Sequence, residues 1–196
     1  MEFTELQNQF TNILLTALGA RDAYTEKHSN RLSLLAREIC NKLNLSSVET
    51  KKVVLAAKLH DIGKIGISDF ILLKPSRLTE QEFDEIKKHP LIGYEMLKKI
   101  DIFSHIADYI LQHHEKYDGS GYPNRLSGKN ILQGARIIGV VDAVDAMATK
   151  RIYKERMSIE NVLVELGRGS GSQFDPYICK IAVETIREYA DVFAKN

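Results

Sequence analysis

The feature that most constrains the fold of this chain is a helical repeat of apolar residues that recurs along almost its whole length. The first set follows the spacing i, i+4, i+7, i+8, i+11 and i+12 and comprises Leu6, Phe10, Ile13, Leu14, Ala17 and Leu18. A second set has the same character and comprises Leu32, Leu35, Ala36, Ile39, Cys40 and Leu43. Because such spacing lines one face of a helix, the pattern predicts an all-α fold.

Several helix boundaries can also be read from the sequence. In a capping box, a hydroxyl side chain and a Glu three residues later satisfy N–H groups of the first turn. Its spacing occurs at Ser46–Glu49 and Thr79–Glu82. Pro90 suits the first turn of a further helix, where its missing N–H costs little. Asp175–Pro176 suits the start of a last helix that we expect to end near Phe193.

Strand and helix compete over residues 135–148. The β-branched residues of 135–141 are typical of a strand, but helix-forming residues follow them without a break. We therefore favour one long helix. Loops are predicted at 63–79 and 115–130. The second contains Asp-Gly-Ser-Gly-Tyr-Pro and is longer than a plain helix connection, which indicates a functional loop.

Length and charge narrow the classes of protein further. The 196 residues suit one domain, 1–196, with a leading helix over 1–20 and a C-terminal helix over 177–196. A net charge of +1 argues against a duplex nucleic-acid partner. The sequence has neither a signal peptide nor a run of about 18 apolar residues, so we expect no membrane partner and a cytoplasmic location. Cys40 and Cys179 are predicted to be buried, reduced thiols.

Histidines are the informative part of the composition. An isolated His-Asp dipeptide such as His60-Asp61 is more often a helix end with a solvated carboxylate than a metal site. Here, however, five of the six histidines fall on or beside four predicted helices: His28, His60, His89, and the neighbours His113 and His114. Asp142 lies within an apolar helix, where a carboxylate is costly unless it is paired or metal-bound. Asp145, three residues on, is a rival for the same role.

This donor set predicts metal chemistry. Nitrogen and oxygen ligands without cysteine suit Fe, Mn, Zn or Ni. Five imidazoles and two carboxylates exceed the needs of one ion. Two ions bridged by a carboxylate and a hydroxide form a common arrangement for phosphoester hydrolysis. The sequence therefore favours a two-metal hydrolase.

Three motifs then carry a family resemblance: His60-Asp61 followed by Ile-Gly-Lys-Ile-Gly, the run His113-His114-Glu115, and Asp118-Gly-Ser-Gly-Tyr-Pro123. In this order they resemble the HD-GYP family, bacterial phosphodiesterases of the HD superfamily that cleave cyclic di-GMP. The resemblance covers residues 21–176. It implies an HD-domain helical bundle of the HD-GYP type, with a long Gly-Tyr-Pro loop near the active site.

The resemblance also implies a ligand set. One metal ion would be held by four residues: His28, His60, Asp61 and Asp142. A second would be held by His89, His113 and His114, with Asp61 bridging the two ions. This assignment favours Asp142 over Asp145.

Further roles follow from the same resemblance. It implies a catalytic site of Asp61, Lys64 and Asp22, in which Lys64 lies beside the attacking hydroxide and Asp22 is its carboxylate partner. It implies a substrate-binding set with Gly121, Tyr122 and Pro123 at the lip of the cleft and Arg151 and Lys154 on the phosphates. Without the resemblance, Arg151 and Lys154 are ordinary surface charges, and Tyr122 is equally a packed loop aromatic.

The chain departs from the family pattern at Tyr24, where many members carry a glutamate that helps to hold a third metal. We therefore expect two divalent ions, with Fe favoured and Mn, Ni or Zn as alternatives. Ile152 replaces the proline of Arg-Pro-Tyr, and Arg125 replaces a common glycine. Both positions border the expected cleft. The resemblance implies hydrolysis of cyclic di-GMP to pGpG and, to a variable degree, GMP.

Three other functions compete with this one. They are an HD hydrolase of another cyclic dinucleotide or nucleotide, an HD-fold di-iron oxygenase, and a catalytically weak cyclic di-GMP-binding signalling module. A receiver or sensor domain, or a second copy of the chain, is the expected protein partner. Only a short helix precedes Asp22, so we expect either a stand-alone enzyme or an excised domain.

Overall fold

The computed structural model describes residues 3–21, 25–149 and 156–188. In these ranges the chain forms eleven α-helices: α1 Phe3–Gly19, α2 Thr25–Lys42, α3 Ser47–Leu59, α4 Asp69–Leu72, α5 Glu80–Ile86, α6 His89–Leu97, α7 Asp101–Ser104, α8 Ala107–Gln112, α9 Gln133–Ala148, α10 Ile159–Gly169 and α11 Pro176–Glu188. Two short 3₁₀ helices lie at Ile62–Gly66 and Gly128–Asn130. The described residues contain no β-strand, only an isolated bridge between Ser170 and Phe174. The predicted all-α class is confirmed.

Helix α9 runs through the centre of the molecule and packs against α2, α3, α8, α10 and α11. Nine of its sixteen residues are buried, and most of these are β-branched or alanine. A helix that is apolar on nearly every side is stable only inside a core. The single long helix predicted here, rather than a strand, is confirmed. Its burial brings Asp142 and Asp145 to the interior.

Predicted caps are present at several helix ends. Thr79 and Glu82 form a complete capping box at the start of α5. Ser46 caps α3 by accepting from the Glu49 N–H, whereas the Glu49 carboxylate accepts from the Tyr109 hydroxyl. The Asp175 carboxylate accepts from N–H groups in the first turn of α11. Phe193, where this helix was expected to end, lies outside the described residues.

The structure corrects two expectations. Phe10 and Ile13 were predicted on the apolar face of α1 with Leu18, but they are 43% and 62% exposed. The buried face consists instead of Thr11, Leu15 and Leu18, because these side chains point toward the core. The predicted loop 63–79 is not continuous, since a 3₁₀ helix and α4 occupy much of it.

Cys40 and Cys179 are both buried and unbridged, as predicted. In the part of the chain that is described, no helix combines the length and the apolar character needed to cross a bilayer. The division into one domain with a leading helix over 1–20 and a C-terminal helix over 177–196 stays a prediction.

Candidate metal centre and active site

Six side chains converge as two groups at the centre of the helical bundle. His28, His60 and Asp142 form one group, called here the mixed triad. His89, His113 and His114 form the other, called here the histidine triad. In each triad the ligand atoms lie within 4.8 Å of one another, so each triad could hold one metal ion. The residues predicted as ligands from the sequence are therefore brought together, and their role as ligands stays a prediction.

The triads are assembled from helix ends and one helix interior. His60 directly follows α3, His89 begins α6, and His113 directly follows α8. Each of these three rings donates Nδ1–H to the main-chain carbonyl three residues earlier, at 2.9, 2.8 and 2.6 Å respectively. Those donations leave the Nε2 atoms facing the site, and each Nε2 carries a lone pair when its ring is neutral.

The facing nitrogens test whether a metal ion fits. The Nε2 atoms of His89 and His113 are 3.3 Å apart, and those of His28 and His60 are 3.4 Å apart. Since Nδ1 of His89 and of His113 already carries the ring proton, their Nε2 atoms are two lone pairs that face each other. A cation between such atoms satisfies both, and neutral imidazole is a common ligand of Zn, Fe, Ni and Cu. The donor set fits a divalent ion in each triad.

Asp61 lies between the two triads. Its Oδ2 is 3.3 Å from His60 Nε2, and its Oδ1 is 3.4 Å from His89 Nε2. Lys64 donates from Nζ to the same Oδ2 at 2.6 Å. Burial raises the pKa of Asp61, but Lys64, His60 and His89 outweigh it and hold the pKa well below its usual value. A carboxylate with one oxygen toward each triad has the geometry of a bridging ligand.

The backbone changes conformation between these neighbours. His60 keeps α-helical angles, whereas Asp61 has φ −92° and ψ 4° and starts the 3₁₀ helix. This change allows the adjacent side chains to face one site. Two residues later, Gly63 contacts α6 so closely that a Cβ there would lie 1.9 Å from the His89 carbonyl oxygen. Only glycine allows this approach.

Asp142 and Asp145, the rivals from the sequence, have different contacts. Asp142 Oδ1 lies 3.5 Å from His28 Nε2 and 3.9 Å from His60 Nε2, inside the mixed triad. Asp145 instead contacts the outer nitrogen of His28, with 2.6 Å between Oδ2 and Nδ1, and accepts from Arg31. Burial raises the pKa of Asp145, but these bonds outweigh it and lower the pKa to about 2. Asp145 therefore orients His28 rather than belonging to the triad.

The two triads differ in their affinity for protons. Burial, together with His114 and Lys64, lowers the pKa of His89 to about 3, despite the opposing charge of Asp61. Burial and neighbouring cations lower that of His114 to about 4, although Asp142 and Asp61 oppose this. In the mixed triad, burial lowers the pKa of His60, but Asp61 and Asp142 outweigh burial and raise it to about 9.

The Gly-Tyr-Pro loop closes one side of the centre. Gly121 is buried against the main chain of 114–116, where a Cβ would lie 2.2 Å from the Lys116 nitrogen. The Tyr122 ring lies over His114, with centroids 4.9 Å apart, and is followed by a cis bond to Pro123. Burial, with Asp142 and Asp61, raises the pKa of the Tyr122 hydroxyl. Gly121 and Tyr122 thus lie beside His114, and the role of Gly121, Tyr122 and Pro123 at the lip of a cleft stays a prediction.

Glu115 fixes the rest of this loop. Its buried carboxylate accepts from the N–H groups of Asn124 at 2.6 Å and Leu126 at 3.0 Å. Burial raises the pKa of Glu115, and the main-chain donors only partly offset that effect. The loop is thus anchored directly beside His114.

A cavity of about 350 Å³ adjoins the histidine triad and Asp142. Its walls include Tyr122, Met147, Phe174 and Arg136. The Arg136 guanidinium is bonded to Asp175 and donates to the Ile131 carbonyl at 3.0 Å. The cavity has room and apolar walls for a flat ring next to the metal centre.

Five site residues singled out in the sequence lie outside the described residues: Asp22, Tyr24, Arg151, Ile152 and Lys154. Sequence reasoning did not identify the contacts of Arg21, Glu115 or Asp145. For Asp145, the only signal in the sequence was a carboxylate within an apolar helix, three residues after Asp142. Nothing in residue spacing pointed to the contacts of Arg21.

Comparison with known proteins agrees with this geometry. A family model described as HD domain matches residues 12–178. The chain is 41% identical over 180 residues to the cyclic di-GMP phosphodiesterase response regulator RpfG of Xanthomonas campestris, covering 89% of this chain and 47% of that protein. It is 36% identical over 199 residues to a cyclic di-GMP phosphodiesterase of Thermotoga maritima, covering 99% of this chain and 54% of that protein. It thus spans about half the length of these curated relatives.

Solved structures show the same fold. An HDGYP protein from Bdellovibrio bacteriovorus superposes with a TM-score of 0.71 at 18% identity, covering 94% of this chain and 63% of that one. The HD domain of the L. monocytogenes phosphodiesterase PgpH, in complex with cyclic di-AMP, gives 0.67 at 21% identity, covering 93% and 97%. The family model and the curated relatives, together with the motifs at His60-Asp61, His113-His114 and Gly121-Tyr122-Pro123, show that the chain belongs to the HD domain family, in its HD-GYP branch.

Proposed function

We propose that this protein hydrolyses a 3′–5′ phosphodiester bond of cyclic di-GMP, giving linear pGpG and, in a slower second step, GMP. The observation that carries the proposal is the pair of triads joined by Asp61. Paired metal sites that share a carboxylate suit in-line displacement at phosphorus. Relatives at 41% and 36% identity that are named cyclic di-GMP phosphodiesterases support the choice of substrate.

The metal content is part of the proposal. We propose one divalent ion per triad, with Fe favoured and Mn, Ni or Zn as alternatives. When bound, the ions would lower the pKa of a shared water and neutralise charge on the phosphoryl oxygens. Asp61 would hold the two ions together from its two oxygens. The Nδ1–H bonds to main-chain carbonyls keep three of the five imidazoles oriented for binding.

Lys64 is the proposed proton donor. Its ammonium is held 2.6 Å from Asp61 and is therefore kept at the centre rather than in solvent. The water would first lose a proton to solvent, and the resulting hydroxide oxygen would bond to phosphorus as the P–O3′ bond breaks. Nζ would give a proton to O3′, and the neutral amine would regain a proton from the new phosphate hydroxyl or from solvent. Asp22 is proposed as a further carboxylate partner of Lys64.

Substrate binding is proposed on both sides of the centre. Tyr122, with Gly121 and Pro123, would contact a guanine, and the adjoining cavity of about 350 Å³ would accept the ring. Arg151 and Lys154 would bind the phosphates of the dinucleotide. The near-neutral chain would thus concentrate positive charge around a small dianion.

A second candidate substrate is 3′3′-cGAMP. A relative in Vibrio cholerae that is 33% identical over 196 residues is named a 3′3′-cGAMP-specific phosphodiesterase. The two cyclic dinucleotides share the phosphodiester chemistry and differ in one base. Contacts at the cavity, rather than the triads, would decide between them.

The test is a product assay on protein prepared without oxygen and supplied with Fe(II), Mn(II) or Ni(II). Cyclic di-GMP, 3′3′-cGAMP and cyclic di-AMP are incubated separately, and the products are resolved by chromatography. We expect pGpG from cyclic di-GMP, a metal content near two, and no product with Asp61→Ala. Asp108→Ala, which removes an exposed carboxylate on α8, is the matched control. Absence of cleavage with all three metals would overturn the catalytic proposal, and tight binding without turnover would favour a signalling module.

The domain organisation and regulation are proposed on the same basis. We propose that 1–196 forms one catalytic domain that acts with a receiver or sensor domain or as a homodimer. Support comes from RpfG, which is named a response regulator and of which this chain covers 47%.

A further inference from the structure

Arg21 contacts the chain segment that carries Lys64. It lies two residues after the end of α1, and its guanidinium reaches across to residues 64–69. Nε and Nη2 donate to Oδ1 of Asp69 at 3.1 and 2.5 Å. The remaining bonds go to main-chain carbonyls: Nη2 donates to Ile67 at 2.7 Å, and Nη1 donates to Ile65 and, at 3.4 Å, to Lys64.

These acceptors lie where the main chain needs support. The 3₁₀ helix ends at Gly66, where partners for carbonyls within the helix run out. The Lys64 carbonyl already accepts from the Ile67 N–H at 3.0 Å, so the carbonyls of Ile65 and Ile67 depend more on Arg21. A planar guanidinium has five N–H donors in a fixed fork and can serve several such oxygens at once. A lysine has three donors on one nitrogen and cannot reproduce this set. Arg21 therefore adds side-chain support to the bend between the 3₁₀ helix and α4, where the main chain itself provides few bonds.

The position of that bend decides the position of Lys64. The Lys64 carbonyl accepts from Arg21, and its Nζ donates to Asp61 at 2.6 Å. At the other end, Arg21 is tied to α1, whose Leu15 and Leu18 are buried in the core. The chain thus connects α1, through one guanidinium, to the residue proposed as proton donor.

We infer that Arg21 is a positioning residue that holds the Lys64 segment in register with Asp61 and couples it to α1. This inference rests on the proposed function of Lys64. The hydrogen bonds themselves do not depend on any ligand. A displacement of α1 relative to the core would then move the Lys64 segment. The triads would keep their geometry, because the Arg21 side chain contacts residues 64–69 rather than the triads.

The experiment compares Arg21→Lys with Arg37→Lys, an exposed arginine on α2. With cyclic di-GMP, we expect Arg21→Lys to lower kcat by roughly 10- to 100-fold, because small misplacements of a catalytic group cost that much. KM, metal content and thermal midpoint should stay near those of Arg37→Lys. Asp69→Asn keeps an acceptor oxygen but removes its charge, and it leaves the main-chain carbonyls in place, so a smaller loss is expected.

A double-variant cycle separates positioning of Lys64 from general damage. In a Lys64→Met background, Arg21→Lys should lower kcat no further, since the group it positions is already gone. A further loss equal to that in the native background would overturn the inference. So would an unchanged kcat in Arg21→Lys.

Hydrogen exchange gives a readout that survives failure of the proposed function. If the protein does not cleave cyclic di-GMP, Arg21→Lys should still speed amide exchange over 64–69 relative to Arg37→Lys, with exchange in α9 unchanged. Faster exchange with no enzyme activity would refute only the proposed function. Unchanged exchange over 64–69 would refute the role of Arg21.

Discussion

The two triads have similar burial but are supported in different ways. In the histidine triad, His89 and His113 are oriented by carbonyls of the residues three positions earlier. In the mixed triad, His28 is oriented by Asp145, which lies 117 residues away and is itself held by Arg31. Local main-chain support is built in as soon as a helix end forms. Support from a distant side chain requires the whole core, so the mixed triad is the more vulnerable half of the centre.

The largest expected effect is at Asp61, whose carboxylate lies between the triads. Asp61→Ala should remove the link between both halves and lower activity by on the order of 1,000-fold, since metal-assisted charge stabilisation is worth several kcal/mol. Metal content by mass spectrometry of the native protein should fall below that of Asp108→Ala. A variant that keeps two ions and near-native activity would show that the triads work independently.

Asp145→Asn should break the mixed triad alone. The amide cannot accept from both His28 and Arg31 as the carboxylate does, so His28 loses orientation. We expect Mn(II) affinity of the mixed triad to fall by roughly 10- to 100-fold, the usual cost of losing a residue that orients a ligand. Calorimetry on Asp145→Asn and on the exposed control Asp108→Asn measures this. Equal weakening of both triads would contradict the comparison.

The metal affinities of the two triads should depend differently on pH, even when the residues that orient their ligands are unchanged. The pKa of His60 is about 9 in the ion-free protein, so at pH 7 an ion must displace its proton. Below pH 9, affinity of the mixed triad should therefore fall by about tenfold per pH unit. His89 and His114, with pKa values of about 3 and 4, are neutral at pH 7, so the histidine triad should be insensitive from pH 8 to pH 6.

Variants that retain one triad make this measurable. His114→Ala leaves the mixed triad, and His28→Ala leaves the histidine triad. Mn(II) titrations of each between pH 6 and pH 8.5 should give a steep and a flat profile. Parallel profiles would mean that the two halves bind ions as one unit.

The smallest expected effect is at Glu115, which supports the loop rather than either triad. In Glu115→Gln, an NH₂ group replaces one of the two oxygens that accept from Asn124 and Leu126, so one of these bonds loses its acceptor at a cost of about 1 kcal/mol. We expect KM for cyclic di-GMP to rise roughly fivefold. Metal content and kcat should match those of the exposed control Glu160→Gln. A loss of metal would show that the loop supports His114 directly.

Much of this centre could be predicted because its side chains lie on helices, whose sequence signals are local. Apolar periodicity predicted α2, and the unbroken run of helix-forming residues after 135–141 favoured one helix for α9. The cost of an unpaired carboxylate in an apolar helix singled out Asp142, with Asp145 as its rival. Choosing Asp142 required the family resemblance, since both residues lie on much the same face of α9. The periodicity of α1 misled, because it has apolar residues on two faces and only packing decides which face is buried.

What could not be predicted depends on contacts between distant parts of the chain. Arg21 meets carbonyls more than 40 residues away, and main-chain acceptors leave no trace in a sequence. The 3₁₀ geometry after His60 was likewise unreadable, because the glycines at 63 and 66 are equally typical of an open loop. Tertiary packing, rather than local propensity, selects these conformations.

The contact at Gly63 has a consequence for how this centre can change. Its Cβ-less backbone rests on the carbonyl of His89 and the N–H of Gly93, so two main chains meet without side chains between them. This contact therefore fixes the distance between the His60-Asp61 turn and the start of α6. We expect that exchanging a ligand, for example a histidine for a carboxylate, would change which metal ion binds best but would leave this distance unchanged. By contrast, Gly63→Ala would place a methyl group between the two main-chain segments and would push the His60-Asp61 turn and α6 apart.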